Sequence, residues 1–140
     1  MTEFDTFKFG KEHEEKFAGT FKAKFDKNLE KTKKRYSLFD FTSEDTYLEL
    51  KSRRCASATY KDTMVGKNKF DFAEKLENKS VYFCFSFTDG LFYWKYDKEQ
   101  LALITFKKGG FRNPSGRWEI KDYAFIPINL LVNINTTDAD

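Results

Sequence analysis

The chain has 140 residues, with 25 Lys and Arg against 22 Asp and Glu, a formal net charge of +3 and a pI near 8.7. That length supports one domain with its own core, burying about 65 to 70% of the extended chain's surface, and 17 Phe and 7 Tyr supply much of its volume. Two cysteines (Cys55, Cys84) and one histidine (His13) exclude a disulfide framework and a Cys/His zinc constellation. No apolar run is long enough to span a bilayer and no N-terminal stretch has the h-region of a secretion signal, so an intracellular protein without membrane contact is expected.

Phe17, Phe21 and Phe25 recur every four positions, with Ala18 and Leu29 near the same stripe, which predicts a helix over 11–34. Glu12, Glu14 and Glu15 lie in its first turns and Lys27, Lys31, Lys33 and Lys34 in its last, as the helix dipole favours. Gly19 weakens the middle and allows a break there. Segments 36–41 (YSLFDF) and 46–51 (TYLELK) read as strands joined by the polar turn Thr42–Asp45. Residues 52–66 lack periodicity and read as a loop closed by Gly66. A second helix is expected over 67–78, with Phe70, Ala73 and Leu76 on one side. An aromatic strand over 81–87, the turn Thr88-Asp89-Gly90 and a strand over 91–96 make a hairpin. Residues 101–106 read as a strand, Lys107-Lys108-Gly109-Gly110 as a turn, and 117–120 as a strand. The run 123–131 reads as a short strand and closing segment broken by Pro127. This order places a mixed sheet between helices, an α/β fold in one domain.

Along 46–51, Tyr47, Glu49 and Lys51 share one face, and Leu48 and Leu50 the other. Pairing through the short turn brings Asp40 close to Glu49. Two carboxylates held together repel, and burial raises the cost. A divalent cation relieves both problems. Magnesium takes oxygens at about 2.1 Å, usually from one or two carboxylates, a carbonyl, waters and a substrate phosphate. Asp40, Glu49 and the backbone carbonyl of Leu50 are therefore the expected ligands. Lys51 has no lone pair to offer a metal and is expected to neutralise a phosphate oxygen or place a water. Glu14, one turn before Phe17 and Ala18, offers a third carboxylate, although a modest rotation exchanges it for Glu15. Lys69 lies one turn before Phe72 and Ala73 and faces the sheet. There it is costly unless it meets an anion, or else it runs out to solvent. Each residue alone is commonplace; their succession, after an acid-bearing helix and before a basic loop, is not. His13 reads as an ordinary surface residue.

Asp40 followed by Glu49-Leu50-Lys51, after a helix bearing Glu14, resembles the core of the PD-(D/E)XK nuclease superfamily, the restriction-endonuclease-like fold. The likeness implies one nuclease-like domain over 1–140, with a central mixed sheet flanked by helices. It implies that Asp40 and Glu49 coordinate Mg2+ or Mn2+, that Glu14 assists, and that Lys51 is the catalytic lysine, with Lys69 supplementing the site. Lys51-Ser52-Arg53-Arg54, Tyr60-Lys61-Asp62-Thr63 and Lys69 resemble the continuation in small phage-type or large-virus members. Phe39 stands where the family's name would put proline, which leaves the tripeptide as the sharp motif.

From Lys51 to Lys69 there are six Lys and Arg against one acid, Asp62. Arg53, Arg54, Lys61 and Lys67 are expected to hold phosphates, which positions nucleic acid without reading its sequence. Tyr60 is expected to stack on a base or cap the core, and Lys107, Lys108 and Arg112 to extend the groove. The expected activity is magnesium-dependent endonucleolytic hydrolysis of DNA, by a homodimer where both strands are cut. The alternatives are an RNA-directed nuclease, a non-catalytic nucleic-acid-binding module of the same fold, and a small interaction protein built on the phenylalanine-rich strands.

Overall fold

A computed structural model describes the chain at residues 3–33, 38–112 and 115–134, with the side chains of 3–11, 13, 110–112 and 119 outside that description. In chain order the elements are α1 (Glu3–Lys24), β1 (Glu30–Lys31), β2 (Phe41–Thr42), β3 (Thr46–Ser52), β4 (Asp62–Gly66), α2 (Lys67–Glu74), β5 (Ser80–Phe87), β6 (Gly90–Lys95), β7 (Thr105–Arg112), β8 (Trp118–Pro127) and β9 (Val132–Asn133). A six-stranded sheet runs β1-β2-β3-β5-β6-β9, with β3 and β5 parallel and the other pairs antiparallel. A second, antiparallel sheet runs β4-β8-β7. The two helices flank the mixed sheet, so the expected α/β architecture holds. Among the described residues no helix is long and apolar enough to cross a membrane.

Helix α1 starts and stops earlier than the phenylalanine spacing predicts, and Gly19 does not break it. Its early end has a local cause in Asp26. The Oδ1 of Asp26 accepts from the Asn28 N–H at 2.8 Å, turning the chain. Its Oδ2 accepts from the Ser43 and Thr46 hydroxyls at 2.6 and 2.8 Å. Asp26 thereby pins the turn between β2 and β3, and these hydrogen bonds, Ser43's foremost, hold its pKa below the usual carboxylate value. Lys31, expected in the helix, lies in β1 instead. Of the expected strand 36–41, residues 36 and 37 lie outside the described residues, and only Phe41 lies in a strand.

Each face of the mixed sheet buries its own cluster. Phe21, Leu29, Phe41, Leu48, Leu50 and Cys84 pack on the α1 side. Phe39, Phe70, Phe83, Phe85 and Trp94 pack on the other, together with Val65, Ala124 and Ile126 of the second sheet. Phe70 is the pivot, with ring centroids 5.1 Å from Phe83 and 5.6 Å from Trp94. Phe70→Ala is expected to cost about 3 to 5 kcal/mol in urea unfolding through the cavity it leaves. A loss below about 1 kcal/mol would contradict this packing.

The second sheet and the segment leading into it correct three expectations. Residues 62–66, read as a loop, form β4, in which Thr63 and Val65 are buried and Asp62 and Met64 exposed. Residues 98–103 form a 3-10 helix capped by Asp97, where a strand was expected from 101. Lys107-Lys108-Gly109-Gly110 lies inside β7 rather than in a turn. Gly109 suits that strand because a Cβ there would stand 2.9 Å from the Tyr123 ring carbon Cδ2.

Candidate active site

Strand β3 carries the site. Leu48 and Leu50 enter the α1 cluster while Tyr47 packs toward α2, so Glu49 also faces α2, opposite Phe83 of β5 in register. It is only 3% exposed. A carboxylate so buried persists when counter-charges reach it, and two do. Lys69 Nζ donates to Glu49 Oε2 at 2.8 Å, and Lys51 Nζ stands 3.2 Å from the same oxygen. Lys69 lies in the first turn of α2, its side chain 14% exposed and its ammonium 5.9 Å from the centroid of the Phe39 ring.

Asp40 arrives one residue before β2. Its N–H donates to the Leu48 carbonyl at 3.0 Å and its own carbonyl accepts from Thr32 N–H at 2.9 Å, which fixes the backbone on both sides. Its carboxylate Oδ2 accepts from the Leu50 N–H at 2.8 Å, and Glu49 is near enough for its charge to act on it. Burial first, and then the charge of Glu49, push the Asp40 carboxyl up from 3.8 to about 8, although the Leu50 N–H pulls the other way. At neutral pH Asp40 therefore favours its protonated form, which a solvated carboxylate would have lost.

Glu14 is half-buried and Glu15 exposed, and the charge of Glu14 adds to the rise at Asp40. Of the two, Glu14 is the one turned to the site. Its carboxylate is drawn to Lys31, 3.3 Å away, so the expected third metal ligand is engaged elsewhere. Among the described residues no group of three or more His, Cys, Asp or Glu could hold a metal ion. The donor set is smaller: the Asp40 and Glu49 carboxylates and the Leu50 carbonyl. A strand residue projects its N–H and C=O to the same edge. Leu48's carbonyl meets Asp40, so Leu50, two residues on, presents its carbonyl to that edge as well. Two carboxylates and one carbonyl are within what Mg2+ takes from a protein when a substrate phosphate and waters complete its shell. The residues fit the ion.

Beside this group opens a cleft of about 580 Å3, lined by Lys51, Lys67, Lys69 and Lys121 with Gly66, Asn68, Asp71, Asp122 and Tyr123. The first turn of α2 carries no acid, and its cap residue Gly66 offers no side-chain bond to the helix's free N–H groups. Lys67 Nζ lies 3.1 Å from Asp71. Asn68 and Tyr123 were not foreseen here, because their place depends on β4 pairing with β8.

The other expected nucleic-acid contacts are scattered. Arg53 ties the two sheets together, where a phosphate contact was expected. Its Nη2 donates to the Met64 carbonyl at 2.6 Å and its Nε to Thr63 Oγ1 at 3.3 Å, and burial lowers its pKa. Arg54, Tyr60 and Lys61 are exposed. Lys107 Nζ sits 4.7 Å from the Phe125 ring centroid and Lys108 pairs with Asp122 at 3.4 Å. The side chains of Arg112 and His13 lie outside the described residues. No family model, curated protein or solved structure matches the chain.

Proposed function

We propose that this chain is a divalent-cation-dependent phosphodiesterase that cuts DNA, built on a restriction-endonuclease-like core. The observation that carries the reading is the Glu49 carboxylate, shared by Lys51 and Lys69 beside Asp40 at the edge of a lysine-lined cleft. Asp40, Glu49 and the Leu50 carbonyl would hold Mg2+ or Mn2+. When bound, the ion supplies Lewis-acid polarisation of the phosphodiester and lowers the pKa of a coordinated water.

The chain's own residues do the rest. Lys69 keeps Glu49 oriented from inside the core. Lys51, with 38% of its side chain exposed, extends from Glu49 to the cleft and can neutralise a non-bridging phosphate oxygen as charge builds there. Lys67 and Lys121 hold the backbone without reading its sequence. Cutting both strands needs two copies of the site, so a homodimer is the form proposed where both strands are cut; a monomer cuts one.

Incubation with supercoiled, linear, branched and single-stranded DNA, and with RNA, tests the reading. Cleavage in magnesium and none in EDTA is expected. Binding without cleavage in any metal would favour a non-catalytic module, and cleavage of RNA alone would move the substrate. Lys51→Ala is expected to lower kcat by about 100-fold or more while magnesium affinity, read by calorimetry, stays near the wild-type value. An unchanged kcat would remove Lys51 from the chemistry.

A further inference from the structure

A second cavity, of about 400 Å3, adjoins the lysine cleft and has the opposite character. Tyr60, Met64, Phe87 and Phe125 dominate its lining, and Asp62 stands among them. The two cavities are linked residue by residue. On β4, Met64 lines the apolar cavity and Gly66, two positions on, the lysine cleft; on β8 their register partners Phe125 and Tyr123 divide the same way. Residues two apart on a strand share a face and lie about 6 to 7 Å from one another. On β3 and the chain leaving it, Lys51 borders the cationic cleft and Arg53 the apolar cavity.

A lysine-lined cleft joined at that spacing to an apolar cavity fits a nucleotide unit, with its phosphate among the lysines and its base in the cavity. The volume lies within the range of small-molecule sites, about 300 to 1,000 Å3. Tyr60, 67% exposed, presents a ring on which a base can stack whatever its identity. A base paired and stacked inside a duplex cannot enter such a cavity without leaving the helix.

We infer that the strand cut by this protein is unpaired at the cut, and that the base beside the scissile phosphate is seated in the Tyr60–Met64–Phe125 cavity. The inference rests on the phosphodiesterase reading of the lysine cleft and deepens it by naming the substrate class: single-stranded or locally unpaired DNA.

The test separates the two claims. A single-stranded oligonucleotide carrying one 2-aminopurine, and the same strand in duplex, are titrated with the full chain in EDTA, where fluorescence reports stacking on the protein. Quenching is expected with the single strand and not with the duplex. Tyr60→Ala, a substitution at an exposed ring whose fold is checked by thermal unfolding, is expected to weaken single-strand binding about tenfold. Equal affinity for duplex and single strand, or no loss with Tyr60→Ala, overturns the base site. Magnesium-dependent cleavage of both forms at equal rates, indifferent to Tyr60→Ala, also overturns it and leaves the phosphodiesterase standing. Tyr60-dependent quenching with no cleavage in magnesium supports the base site and removes the phosphodiesterase.

Discussion

Glu49→Gln yields a folded protein that still binds DNA in EDTA but whose magnesium-dependent cleavage falls by about 1,000-fold. Glutamine keeps the shape and one acceptor oxygen, so Lys69 retains a partner for the bond now made at 2.8 Å. It removes the charge on which the acid pair's claim to a cation depends. Alanine is the blunter variant. It leaves the Lys69 ammonium, on a side chain only 14% exposed, without its counter-charge, and breaking a buried pair this way costs about 3 to 5 kcal/mol. An inactive alanine variant would therefore confuse lost chemistry with lost folding. Initial rates of plasmid nicking, read beside thermal midpoints and oligonucleotide affinity in EDTA, keep the two apart. A folded Glu49→Gln protein cleaving at the wild-type rate would remove the acid pair from the reaction.

What made this site legible was local. Alternation along Thr46–Ser52 put Glu49 and Lys51 on one face, and helical spacing turned Lys69 toward the same sheet; both follow from backbone periods. The approach of Asp40 to Glu49 followed from the shortness of the intervening turn. That turn holds because Asp26, distant in sequence, bonds to Ser43 and Thr46, and the same aspartate ends α1 early. No periodicity in 11–34 announces a side chain recruited by another element. The second sheet stayed hidden for a related reason. Its strand Asp62–Gly66 is too short for a strong alternation signal. At the far edge of that sheet, β7 contains a Lys-Lys-Gly-Gly run with the composition of a turn, and the ring of Tyr123 over Gly109 is a cross-strand fact. Once β4 was missed, the destination of Arg53 and the walls of both cavities were missed with it.

In EDTA the protein is expected to be most stable in mild acid and to weaken steadily toward pH 9. The Asp40 carboxyl has a folded-state pKa of about 8 against 3.8 for the free group. Between those values the native state holds a proton that the unfolded chain has released. Stability from this source is thus complete below pH 3.8 and is lost as pH rises through about 8. Asp26 works in the opposite sense: its lowered pKa adds stability that disappears as pH falls through the folded value. The optimum lies between these two effects. Asp40→Asn holds the neutral form permanently and keeps an oxygen for the Leu50 N–H. Its advantage over the wild type is expected to grow between pH 5 and pH 8 by at least about 2 kcal/mol, a discounted share of the roughly 1.4 kcal/mol that each pKa unit is worth. Magnesium should stabilise the wild type at pH 8 more than at pH 5, because a cation competes with the proton on Asp40, and should do little for Asp40→Asn. Thermal midpoints of both proteins across pH 5 to 9, with and without magnesium, decide the matter. Parallel curves would mean that Asp40 ionises as an ordinary carboxylate, with no bound proton for a cation to displace.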